Sequence, residues 1–260
     1  PHLEATPFYQ PYYAPAANIM EFYSPIAGSG ERLLGMAYHS WGWWGIMGHE
    51  VGHIWSASFA ADLGLQDPDE SCACHWDSLS DVGGTMAGQE IFEVNDNGEP
   101  VARGDTNSPA WDTFQLQSNG DGTWRAVRFH SRYAPIDLYL MGLLPASEVP
   151  AITILREADF SDPQRIVPSI ADTYTIEDLM AAAGGPRVPA YPDAPTTLDV
   201  VFVVVSDSPF TEAEIAFHTI QAQMFTTDEH SGSDYPYRPF TELTGGRGHL
   251  NADLMRFTGV

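Results

Sequence analysis

Residues 49–53 read His-Glu-Val-Gly-His, and this stretch is the part of the chain best suited to chemistry. On a helix, histidines four apart lie one turn from each other on the same face, so His49 and His53 can reach one metal ion. Glu50 stands beside that face, placed to act as general base toward a water at the metal. Zinc lowers the pKa of a bound water toward about 7, which makes that water usable at neutral pH. With 9 histidines in 260 residues, random placement of the histidines and glutamates yields about 0.02 matches to the pattern. The competing reading is two core histidines satisfied by hydrogen bonds.

GHEVGHIW on a central helix, after an edge hairpin, resembles the zincin-type metallopeptidases. CHWDSLSDVGGTMAG, PIDLYLMGLLPASEV and the later TGGRG are similar to stretches of secreted bacterial HExxH proteins, mostly known as predicted metallopeptidases. The wider similarity covers about residues 45–250. It implies one catalytic zinc ion, a protein or peptide substrate and a secreted enzyme.

A catalytic zinc takes three protein ligands and keeps one position open. The metzincin pattern requires glycine at 56 and histidine at 59, where this chain has Ser56 and Phe59, so that spacing is excluded. A glutamate ligand of gluzincin type has Glu70 and Glu90 as candidates; an aspartate ligand has Asp77, Asp81 and Asp137. The favoured third ligand is His75, 22 residues after His53 in a loop able to fold back. His130, His218, His230 and His249 rank lower. Cys72 and Cys74 allow a closed structural zinc site, a strained local bridge or two ordinary thiols. A closed site leaves Glu50 without a task, so the bridge or inert thiols are preferred. Asp77 or Asp81 can orient a metal-bound histidine. Met86 or Met141 can floor the metal, and Tyr133 or Tyr139 can stabilise an oxyanion. Trp41, Trp43 and Trp44 can wall a cleft, with core packing the equal alternative.

Several elements must position these residues. Residues 18–24 and 32–39 read as a hairpin around AGSG. A helix follows over 44–63, apolar nearly all round and hence buried, and ended by Gly64. Gly48 and Gly52 inside it suggest either close packing or room beside the histidines. Residues 66–88 read as a structured loop. Asn-Gly and Asp-Gly signals make hairpins of 91–103 and 114–129, whose aspartates are possible calcium ligands although neither fits the twelve-residue calcium loop. Residues 135–144 are a helix or turn, and 175–183 a helix capped by Thr175. Residues 198–205 read as an interior strand, and 211–225 as a helix capped by Thr211. The proline-rich stretch 186–195 is the best candidate linker, with a long loop the alternative.

The charge balance limits partners. Acidic residues number 35 against 11 basic ones, a formal net charge of −24, and every basic residue is arginine. Such a chain lacks the basic face that nucleic acid or an anionic membrane needs. No apolar run approaches the roughly 20 residues of a membrane span. The start, PHLEATPFYQPYY, has neither the basic flank nor the apolar stretch of a signal peptide and reads as a processed or truncated chain. Acidity and the family resemblance together point to secretion. With no lysine there is no phosphate-binding GKS/T loop, and there is no G-x-S-x-G elbow.

The expected architecture is an α+β, zincin-like single domain over 1–260, with a twisted sheet, a buried HExxH helix and a loop-rich C-terminal half. A small subdomain from about 196 to 260 is the alternative division. The expected function is zinc-dependent peptide hydrolysis. The alternative is a non-catalytic, zinc-containing binding or adhesion module of a larger extracellular protein.

Overall fold

The computed structural model describes residues 19–21, 36–38, 47–52, 55, 64–65, 75–77, 79–86, 92–95, 97, 99–102, 113–129, 132–204, 208–229 and 238–254. In chain order the elements are β1 (Ile19–Glu21), β2 (Met36–Tyr38), α1 (Met47–Gly52), β3 (Phe92–Val94), β4 (Pro100–Ala102), β5 (Thr113–Ser118), β6 (Trp124–Phe129) and α2 (Pro135–Met141). β7 (Ile152–Asp159), β8 (Val167–Tyr174), α3 (Ile176–Ala182), β9 (Thr197–Phe202), α4 (Glu212–Thr226), α5 (Phe240–Leu243) and β10 (His249–Leu254) follow. The structure mixes helices with mainly antiparallel strand pairs, which is compatible with the α+β class.

Local sequence explains most of these elements. β1 pairs antiparallel with β2, β3 with β4, and β5 with β6. The Asn95 side-chain oxygen accepts from the backbone N–H groups of Asn97 and Glu99, and Asp121 accepts from both the N–H and the hydroxyl of Thr123. In these turns, where calcium is one expectation, the described polar side chains thus hydrogen-bond the turn itself. Thr175 and Thr211 each cap a helix by accepting from the N–H three residues on, with Asp178 and Glu214 reaching back. Such reciprocal boxes satisfy N–H groups that have no partner inside the helix. α2 begins at Pro135 and ends at Gly142, whose φ of 81° is the left-handed conformation that glycine adopts without strain.

Four expectations need correction. In place of one twisted sheet, the described strands form five two-stranded ladders, with isolated bridges from Ser80 to Ile154 of β7 and from Trp124 of β6 to Ile166. The C-terminal half is not loop-rich. It contains the long antiparallel pair β7–β8, the four helices α2 to α5 and a parallel ladder of β9 with β10. The turn of β7–β8 is closed by Asp159 and Asp162, each accepting from an N–H two residues on. A parallel pair needs a crossover, which α4 and α5 provide.

In place of an interior strand over 198–205, β9 ends at Phe202, and Val201 and Val203 are exposed. A two-stranded ladder has too few neighbours to cover both faces, so apolar composition alone does not bury it. Residues 186–195 are no free linker. Arg187 donates from its backbone N–H to the Tyr139 hydroxyl at 3.0 Å, and Ala194 is buried. A Cβ added at Gly142 would sit 2.4 Å from that of Ala194, so this segment packs directly on the end of α2.

One hydrophobic cluster runs through the molecule. It includes Met47, Trp76, Met86, Tyr133, Ile136, Ile154 and Leu179, and also Phe202, Phe225, Phe240 and Leu243 from the last sixty residues. A smaller cluster of Phe92, Leu116, Ala126, Leu155 and Ile166 lies under the β5–β6 and β7–β8 ladders.

Candidate metal site

The motif helix is held tightly before any ligand is considered. Within α1, Met47, Gly48, Glu50 and Gly52 are buried. The Tyr133 hydroxyl donates to the Gly48 carbonyl. A Cβ at Gly52 would lie 2.3 Å from the Met86 sulfur and 2.9 Å from Cε1 of Tyr133. The glycines therefore serve close packing. Gly52→Ala gains roughly 1 kcal/mol of helix propensity but forces the anchored Tyr133 ring to move, an overpacking cost of about 1–3 kcal/mol. Urea denaturation is expected to show a net loss of stability; a more stable variant would refute the tight fit.

His49 and His75 come together. Their Nε2 atoms are 2.9 Å apart, and their rings stack with centroids 4.8 Å apart. His49 Nδ1 lies 2.6 Å from the Thr85 carbonyl oxygen. A carbonyl only accepts, so Nδ1 carries a proton, and in the neutral ring Nε2 is a lone pair aimed at His75. His75 Nε2 is then the donor in the metal-free contact. A carbonyl partner on the remote ring nitrogen is the arrangement that holds a metal-ligating imidazole in the correct tautomer.

Zinc is the ion the motif implies. Two ligand nitrogens on a tetrahedral zinc, each about 2.05 Å away, are about 3.3 Å apart. The observed 2.9 Å is within a few tenths of an ångström of that, and imidazole nitrogen is a preferred zinc donor. The described residues therefore fit a shared ion as far as they go. His53 lies outside the described residues, as do Cys72, Cys74, Glu70, Glu90, His130, His230, Trp41, Trp43 and Trp44. Among the described residues no group of three or more His, Cys, Asp or Glu converges on one point. Glu50 is 5% exposed, on the turn of α1 that carries His49.

The other described candidates have contacts of their own. Asp137 accepts from the Trp76 indole N–H at 2.7 Å and from the Ala134 N–H at 2.8 Å; burial pushes its pKa up to about 7 against those two bonds. Asp81 accepts from the Thr153 N–H at 2.8 Å, and burial raises its pKa to about 6. Asp77 accepts from the Leu79 N–H. His218 is buried between Phe210 and Phe217, with its pKa lowered by burial despite Glu214 nearby. His249 pairs with Asp228 at 2.8 Å. Tyr133 is spent on the Gly48 carbonyl, and the Tyr139 hydroxyl accepts from Arg187. Met86 packs on α1, while Met141 is buried in α2.

The loop carrying His75 is pinned at many points. Trp76 N–H donates to Met86 O, Asp77 N–H to Leu65 O, Asp81 N–H to Thr153 O, and Thr85 N–H to Arg132 O, all at 2.8–2.9 Å. Sequence reading missed the Thr85 carbonyl, because a backbone acceptor leaves no trace in residue type. It also missed the Trp76–Asp137 bond, whose partners are 61 positions apart. No protein-family model, no curated protein and no solved structure matches the chain. No helix among the described residues is long and apolar enough to cross a membrane.

Proposed function

We propose that the chain is a secreted, zincin-type zinc hydrolase acting on peptide bonds. The observation that carries the zinc is the pair of facing Nε2 atoms, with His49 oriented by the Thr85 carbonyl. His49 and His75 hold the ion, with His53 as the further ligand that the motif spacing provides. Bound there, zinc supplies an activated water and polarises the substrate carbonyl. Glu50, screened from bulk solvent in α1, takes a proton from the attacking water on its carboxylate and returns it to the leaving nitrogen. The peptide substrate and secretion rest on the resemblance of GHEVGHIW and the flanking stretches to secreted metallopeptidases, with the acidity of the chain in keeping.

Zinc stoichiometry and casein hydrolysis, measured on wild type and His75→Ala, test the reading. The wild type is expected to hold one zinc and hydrolyse casein. His75→Ala is expected to bind zinc at least 10-fold more weakly and to lose activity in step. Full zinc content with unchanged activity in that variant removes His75 from the site. Zinc without turnover in the wild type selects a non-catalytic binding module instead.

A further inference from the structure

We infer that Asp137 on α2 is a positioning residue for the metal site, acting through the Trp76 indole on His75. The inference rests on the zinc reading above and adds a residue the motif does not contain.

His75 must meet His49 to within a hydrogen-bond distance, yet it sits on a segment with no helix or strand of its own. One source of its fixed position is its chain neighbour. Trp76 is fully buried and fixed at both ends. Its backbone N–H donates to Met86 O at 2.9 Å, and its indole N–H donates to Asp137 at 2.7 Å. Asp137 is itself fixed. Its second oxygen accepts from Ala134 N–H at 2.8 Å in the first turn of α2, a helix whose residues from Ile136 to Met141 are all buried. A chain of short contacts thus runs from the core helix through a carboxylate and an indole to the residue beside the ligand.

The identity of residue 137 supports a positional task. A buried carboxyl whose ionisation is opposed by desolvation destabilises a core relative to a well-packed apolar side chain. What it supplies in return is direction: a fixed acceptor that sets the orientation of the indole ring, and with it the backbone at 76. An apolar residue fills the volume without setting that angle. Partners in the layer behind metal ligands typically change metal affinity by 10- to 100-fold when removed.

The test is a double-mutant cycle on the full-length chain at pH 7.5, read as zinc dissociation constant and as the visible spectrum of the cobalt-substituted protein. Trp76→Phe keeps the ring and deletes the N–H; Asp137→Ala deletes the acceptor. Each is expected to weaken zinc binding about 10- to 100-fold, and the double variant no more than the stronger single one. Leu179→Ala, in the same core on α3, controls for lost stability and is expected to keep wild-type affinity. Because Asp137→Ala is the variant more prone to fail to fold, Trp76→Phe carries the decision. Unchanged affinity in folded Trp76→Phe overturns the inference, as do losses that simply multiply in the double variant or an equal loss in Leu179→Ala. Ring-nitrogen NMR of the metal-free protein separates this from the zinc reading. If the wild type takes up no zinc, that reading fails. The positioning link is still supported by displaced His75 resonances in Trp76→Phe and refuted by unmoved ones.

Discussion

Glu50→Gln is expected to keep its zinc and to hydrolyse casein about 10²- to 10⁴-fold more slowly than wild type. Glutamine has nearly the same shape, so a side chain that is 5% exposed and packed in α1 is replaced without opening a cavity. His49 keeps its bond to Thr85, and His75 stays on its pinned loop, because neither contact involves residue 50. What disappears is the capacity to accept a proton at the moment the water attacks. Zinc content by metal analysis and initial rates on the same samples check both halves of the expectation. Activity within a few-fold of wild type would exclude Glu50 as base. Loss of zinc along with activity would make it a ligand or a packing residue.

Asp137 makes the second large effect, on stability as a function of pH. Its carboxyl has a usual value near 3.8 and is pushed up to about 7 by burial. Between those values the folded state holds a proton that the unfolded state has released. Stability therefore falls as pH rises through this window. The contribution is fully present below about pH 4, is lost by about pH 7, and is flat above. A shift of this size corresponds to a few kcal/mol. Asp137→Asn has no such group, so the unfolding free energy of the wild type minus that of the variant is expected to fall from pH 4 to pH 7. Urea titrations at half-unit pH steps measure it. Subtracting the variant removes the common effect of the other acidic groups, which matters in a chain of net charge −24. A pH-independent difference would show that Asp137 keeps its usual pKa in the folded protein, and one that rises with pH would show that its pKa is lowered there.

Which parts of this protein its sequence determines follows from the range of the interactions. Hairpins around NDNGE and SNGDG and the Thr175 and Thr211 caps depend on residues within a few positions, and all appear where residue type predicts them. The spacing from His49 to His53 is equally local: one helical turn is written in five letters. The choice of His75 was a ranked expectation among distant candidates, and the fold alone brings His75 and His49 to 2.9 Å. That approach depends on a loop tied to β7, α2 and the Arg132 carbonyl by bonds spanning tens of residues. No local periodicity encodes such bonds. The same limit explains the errors. β9 is apolar enough for an interior strand, but burial is decided by how many strands stand beside it, and among the described residues it pairs only with β10. Residues 186–195 have a linker's composition and were packed by the shape of the α2 terminus, where Gly142 leaves room for Ala194. Asp137 in the sequence is one acidic candidate among several; buried behind Trp76, it becomes a hydrogen-bonded anchor, because only the tertiary structure decides which polar groups lose their water and must find each other.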